Sequence, residues 1–214
     1  MSRRLPVYLV LDTSGSMMGE PIAALDTGVQ TLIGALRQDP YALETAYLSV
    51  ITFDSVARQD VPLTELTAFQ PPSFRATSST SLGEALKLLA NKIDTEVKKT
   101  TDDAKGDWKP LVFIMTDGGP TDDWRSGLAE LKKRKIGMII ACAAGQGADT
   151  NVLKEITECV VQLDTADRAT IAAFFKWVSA SVSTTSSKME TTGSEPTSID
   201  GLPPPPPEVN HVVW

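Results

Sequence analysis

Asp12-Thr13-Ser14-Gly15-Ser16 places one carboxylate and two hydroxyls within five residues, directly after an apolar run. All of these side-chain donors are oxygens. Oxygen-only ligation suits a hard cation such as Mg2+ or Mn2+ better than zinc, which prefers nitrogen and thiolate. Taken alone the D-x-S-x-S spacing is weak, since Asp, Ser and Gly are also ordinary turn residues. A second apolar run also stops at an acid, giving Thr116-Asp117-Gly118-Gly119-Pro120, and Thr80 stands just before a helical pattern. The carboxyl ends of parallel strands are where open α/β sheets bind ligands. If the strands ending at Asp12 and Asp117 are neighbours, three loops bring Asp12, Ser14 and Ser16, Thr80 and Asp117 to one rim. Two carboxylates about 5 Å apart repel by about 3 kcal/mol at an effective dielectric near 20, and a divalent cation removes that cost.

The elements that must position these groups follow in order. Leu5 to Leu11 and Pro110 to Met115 are nearly continuous apolar runs, as expected of strands covered on both faces. Ile136 to Ala143 reads the same way. Ile22 to Arg37, with Pro21 in its first turn, has apolar residues at three- and four-residue spacings and predicts a helix that ends at Asp39-Pro40. Ala46 to Phe53 is a strand, and the short Asp54-Ser55 linker predicts an antiparallel edge partner at Val56 to Leu63. Residues 64–79 read as irregular. Further helices are expected over Ser81 to Lys99, from a cap at Asp122 or Asp123 to Arg134, over Asn151 to Thr157, and after a cap at Asp167. Val160 to Leu163 reads as an edge strand. The alternation of strand and helix predicts a doubly wound α/β domain over residues 1–182.

Composition excludes several functions. The 214 residues suffice for one domain with a full core, and 42% apolar with 22% charged residues is ordinary globular usage. A net charge of -7 argues against nucleic acid as a partner. The one basic cluster, Lys132-Lys133-Arg134-Lys135, reads as a solvated helix end favoured by the dipole. The run after Arg3 and Arg4 is too short for a leader or a membrane span. Cys142 and Cys159 make no disulfide framework or four-cysteine zinc site and read as reduced thiols, which points to the cytoplasm. A Ser-His-Asp hydrolase is disfavoured because the single histidine, His211, lies in the tail. Neither the Walker loop nor the dinucleotide fingerprint is present.

Past Val182 the composition shifts. Residues 183–202 are rich in Ser, Thr and Gly and read as a flexible linker, followed by a polyproline run at 203–207 and an apolar tail to Trp214. A tail of this kind reads first as a disordered end with a stray aromatic, and next as a segment that docks on its own domain, on a partner or on a sheet edge as an added strand.

D-T-S-G-S-M after the first strand, T-S-L-G-E-A-L opening a helix and T-D-G-G-P after the fourth strand resemble the von Willebrand factor type A domain and its metal-ion-dependent adhesion site. Arg37-Gln38-Asp39-Pro40-Tyr41, Gly106-Asp107-Trp108-Lys109-Pro110 and Phe174-Phe175-Lys176-Trp177-Val178 resemble its bacterial tellurite-resistance-associated, TerY-like branch. The resemblance implies a Rossmann-like sheet of six strands in the order 3-2-1-4-5-6, the third antiparallel, with helices on both faces. It further implies that Ser14 and Ser16 bind the metal directly, Thr80 and Asp117 directly or through water, and Asp12 mainly through water. A sixth position is left for an acidic side chain from a protein partner. The branch implies a stress-response complex with a kinase and a phosphatase. One departure is Ser78-Ser79 before Thr80, where many relatives have glycines. Two alternatives to a non-enzymatic interaction module stand beside it: a Mg2+-dependent phosphatase using Asp12, which lacks a second carboxylate at position 14, and a scaffold that works through its tail.

Overall fold

The apolar run after Arg4 forms strand β1 (Leu5–Asp12) in the computed structural model, which describes residues 2–195 and 198–211. All eight residues of β1 are buried. They lie mid-sheet between two parallel neighbours, β2 (Ala46–Phe53) and β4 (Leu111–Thr116). Outside β2 runs the antiparallel β3 (Ala57–Glu65), none of whose residues is fully buried. Outside β4 run β5 (Met138–Ala144) and β6 (Cys159–Leu163), both parallel.

Side chains of β1 alternate between two cores, as the pleat requires. Leu5, Val7, Leu9 and Leu11 join the core under α1 (Glu20–Leu36), α2 (Pro40–Thr45) and α6 (Arg168–Thr192). Tyr8 and Val10 join the other, under α3 (Leu82–Glu96), α4 (Trp124–Leu131) and α5 (Thr150–Ile156). The doubly wound fold is therefore as expected. Helix α2 was not: Asp39 and Pro40, read as a stop, also start one more turn, because Asp39 accepts the Ala42 N–H at 2.8 Å. Cys142 is buried and Cys159 half-buried, on adjacent strands and unbonded to each other.

The C-terminal part departs from the sequence reading in two ways. The linker expected at 183–202 is helical as far as Thr192, where Gly193 adopts the left-handed conformation and ends α6. Ser and Thr are mediocre helix formers, so local propensity hid this turn of events. Burial decides it: Ser181, Thr185 and Ser186 are fully buried and Met189 nearly so. Second, the chain returns along α6. The Trp177 Nε1–H donates to the Pro203 carbonyl at 2.8 Å, Leu202 and Val209 are buried, and β7 (Asn210–His211) pairs antiparallel with β6. The sheet thus has seven strands in the order β3-β2-β1-β4-β5-β6-β7, not six, and β6 is not an edge. The two described residues of β7 offer no alternation to read. The apolar end, Val212-Val213-Trp214, lies outside the described residues.

The hydroxyls of Ser181, Thr185 and Ser186 are buried without a hydrogen-bond partner among the described residues. An unmet buried polar group costs about 1–3 kcal/mol, whereas an apolar isostere does not. Thr185→Val and Ser186→Ala are therefore expected to raise stability by about 1 kcal/mol each in urea unfolding. A loss of stability in both would show that the hydroxyls are bonded after all.

Candidate metal centre

The geometry starts at the end of β1. Asp12 is fully buried, and its Oδ1 accepts the Ser14 N–H at 2.7 Å while its Oδ2 accepts the Thr116 hydroxyl. The Thr13 N–H is held by the Phe53 carbonyl of β2, and a 3-10 turn at Gly15–Met17 closes the loop. That turn brings the Ser14 and Ser16 hydroxyls to 3.1 Å. Because β4 lies beside β1, the residue after it reaches the same point, and Ser16 donates to Asp117 Oδ1 at 2.6 Å. Asp12 lies beneath; Ser16 is exposed and Asp117 half-exposed at the opening.

Thr80 arrives from a third loop, clamped on both sides. The Gly15 N–H donates to the Ser78 carbonyl at 3.0 Å and the Thr77 N–H to the Thr13 carbonyl at 2.8 Å. On the other side the Thr121 N–H donates to the Thr80 carbonyl at 2.9 Å, and the Thr80 N–H to Thr121 Oγ1 at 3.2 Å. A Cβ built on Gly118 would lie 3.9 Å from Ser16 Oγ and 4.0 Å from Thr80 Oγ1, so that glycine keeps clear the space between the two hydroxyls. Ser78, where a glycine was expected, has a φ of 27°. A side chain there carries the steric cost that glycine avoids.

The structure thus gathers Asp12, Ser14, Ser16, Thr80 and Asp117 at one rim. Burial pushes the Asp12 carboxyl above its ordinary value; the bonds from Ser14 and Thr116 pull it back, and the Asp117 charge adds to the rise. Burial also raises Asp117, against the bond from Ser16. Both shifts are those of acids short of positive charge, which a divalent cation supplies. No group of three His, Cys, Asp or Glu able to hold a metal occurs among the described residues. The donor set is instead two carboxylates and three hydroxyls, which fits a hard divalent cation.

The roles of Thr116 and Asp122 in supporting the site escaped the sequence reading. Thr116 orients Asp12. Asp122, weighed as a cap for α4, instead caps α3, accepting the Gly83 and Glu84 N–H groups at 2.9 Å each, while Asp123 caps α4. Asp54 also follows a buried strand, yet it is committed elsewhere: it accepts from Arg58 at 2.9 Å and from Thr77 at 2.8 Å. Burial alone would raise its carboxyl, but those bonds and the Val56 N–H hold it below the usual range.

A von Willebrand factor type A protein from Catenulispora acidiphila superposes with a TM-score of 0.62 at 17% identity, over 86% of this chain and 43% of that one. Proximal thread matrix protein 1 from the mussel byssus, with a zinc-occupied MIDAS motif, gives 0.60 at 18% identity, over 84% and 48%. Manganese-loaded TRAP protein of Plasmodium vivax gives 0.55 at 20% identity, over 80% and 71%. The chain spans less than half the length of the first two, and at these identities the likeness is one of fold. A search of curated proteins returned no match. The profile of the von Willebrand factor type A domain matches residues 7–174, from β1 into α6 and across every loop of the rim, and the chain belongs to that family.

Proposed function

We propose that this chain is a non-enzymatic protein-interaction module that engages its partner through a divalent cation, Mg2+ or Mn2+, held by Asp12, Ser14, Ser16, Thr80 and Asp117. The observation that carries this reading is the convergence of five oxygen-bearing side chains from three loops on one open rim, with no nitrogen base among them. A bound cation supplies a Lewis-acid centre for the carboxylate of a partner Asp or Glu. The chain's own part is positional. Asp12 is pinned through both oxygens, the 3-10 turn aims Ser14 and Ser16 to the same side, and the Thr121 clamp sets Thr80. Met18, 69% exposed next to this loop, offers an apolar contact beside the charge.

Turnover finds little support in the same geometry. Both Asp12 oxygens already accept hydrogen bonds, position 14 is Ser, and His211 sits on β7, across β4, β5 and β6 from β1. The resemblance to the tellurite-resistance-associated branch supports a bacterial stress-response complex with a kinase and a phosphatase, and the cysteine usage supports a cytoplasmic setting. No helix among the described residues is long and apolar enough to cross a membrane.

The test is capture of partners on immobilised protein with Mg2+ or with EDTA, comparing wild type and Asp117→Ala, alongside an assay with a phosphate ester. Partners lost both with EDTA and in the variant support the metal rim. Partners retained in both move the function to the tail or another face, and metal-dependent release of phosphate would make the chain an enzyme.

A further inference from the structure

At the opposite end of the sheet, the C-terminal ends of α3 and α4 and the loop entering β4 enclose a cavity of about 540 Å³. That volume is in the range of small-molecule sites. The cavity concentrates positive charge in a chain of net charge -7. Four cations around it or at its edge are accounted for by pairs: Arg134 with Asp94 and Glu130, Lys133 with Glu130, Lys109 with Glu195, and Arg4 with Asp107. Lys98, Lys99 and Lys135 also line it, and they have no carboxylate partner among the described residues.

Helix dipoles do not account for all of this charge. Two helix C-termini face the cavity, each equivalent to about half a negative charge, so together they offset about one of the three unpaired ammonium groups. The solvated-helix-end reading of the Lys132–Lys135 cluster covers its first three residues, which bond to carboxylates or to the Glu155 carbonyl, but not Lys135. A second observation is independent of charge. Trp108 lines the cavity, and its indole N–H is buried with no acceptor among the described residues. Ile93, Val97 and Pro110 add an apolar stretch to the wall.

We propose that this cavity binds an oligophosphate, free or as the phosphate tail of a nucleotide. The three ammonium groups are exposed and unpaired with any carboxylate among the described residues, so they are open to donate to a ligand, while Trp108 contributes to the wall. Phosphate packs the most negative charge and the most acceptor oxygens into a small volume. Tight pairing already occupies Asp94 and Asp107, so neither repels the ligand as a bare carboxylate. The apolar wall is where a nucleotide base would lie. This site is independent of the metal rim, which is built at the other ends of β1 and β4.

The experiment is calorimetric titration of the full chain with tripolyphosphate and with ATP, both in EDTA so that the metal rim takes no part. Wild type is compared with K98Q/K99Q/K135Q and with R75Q/K87Q/K176Q, which removes three exposed charges elsewhere, after melting curves show that both variants fold. The expected result is saturable binding that the cavity variant weakens about tenfold or more and the control variant less than about threefold. Tighter binding of ATP than of tripolyphosphate assigns a nucleotide, and equal binding assigns a free oligophosphate. Absence of saturable heat in wild type, or equal losses in the two variants, would overturn the proposal.

Discussion

Asp117→Ala is expected to fold normally and to lose about a hundredfold or more of its affinity for Mg2+ or Mn2+. Asp117 is half-exposed and accepts one side-chain bond, from Ser16, so truncation leaves no buried group unmet. It removes one of the two carboxylates that balance a divalent charge. The measurement is titration of metal into both proteins, with melting temperature as a second reading. At a hundred times its dissociation constant the metal adds about 2.7 kcal/mol to wild-type stability. For a domain of this size that is about 5–10 °C, and in the variant the rise should fall to about 2 °C or less. Asp12→Ala is a poorer probe. It strips partners from the buried Ser14 N–H and Thr116 hydroxyl, at about 1–3 kcal/mol each, and so mixes folding with binding. Wild-type metal affinity in Asp117→Ala would remove its loop from the site.

Gly127→Ala is expected to cost about 3 kcal/mol of stability, the upper end for overpacking, and to weaken metal binding about tenfold. A Cβ at Gly127 would lie 2.3 Å from the Gly83 carbonyl oxygen, and one at Gly83 would lie 2.6 Å from the Asp123 carbonyl oxygen. Backbone meets backbone where α3 crosses α4, so no side chain can swing aside, and the helices must part by about 1 Å. The contact sits beside the site. Parting the helices strains the Asp122 bonds to the Gly83 and Glu84 N–H groups, and through them the approach of Thr80 to the loop after Asp117. Gly34→Ala is the control. Nothing lies within 4 Å of its Cβ position in the last turn of α1, and the same substitution there should stabilise by about 0.4–1 kcal/mol. Urea unfolding of the two variants reads both signs. If Gly127→Ala unfolds like wild type, the crossing is loose and does not set the rim.

Much of the site was legible because its cause is local. An acid at the end of an apolar run is conspicuous whatever the fold, and Asp12 and Asp117 were found that way. The same sign marks Asp54, where it misleads: the next strand turns back as a hairpin, and Arg58 and Thr77 occupy the carboxylate. The supports of the rim carry no such sign. Thr121 meets Thr80 across 41 positions and Thr116 meets Asp12 across 104, separations at which local pattern is silent.

The C-terminal third shows the other side of the division. The restricted backbone of Pro203–Pro207 was legible because the ring itself imposes it, but the turn at its end, where the Val209 N–H donates to the Pro206 carbonyl, was not. The helix through Thr185 and Ser186 was not, because those residues favour no state strongly and burial beside the rest of the fold decides for them. Strand β7 exists because β6 offers it an unpaired edge. By itself, then, the amino-acid order determined the alternation of elements, the oxygen-only chemistry and the loops that carry it, since all three are properties of neighbouring residues. Tertiary structure alone decided what occupies Asp54, what holds Thr80 at the rim and where the tail lies, because each depends on which distant group satisfies a buried polar atom or covers an open edge.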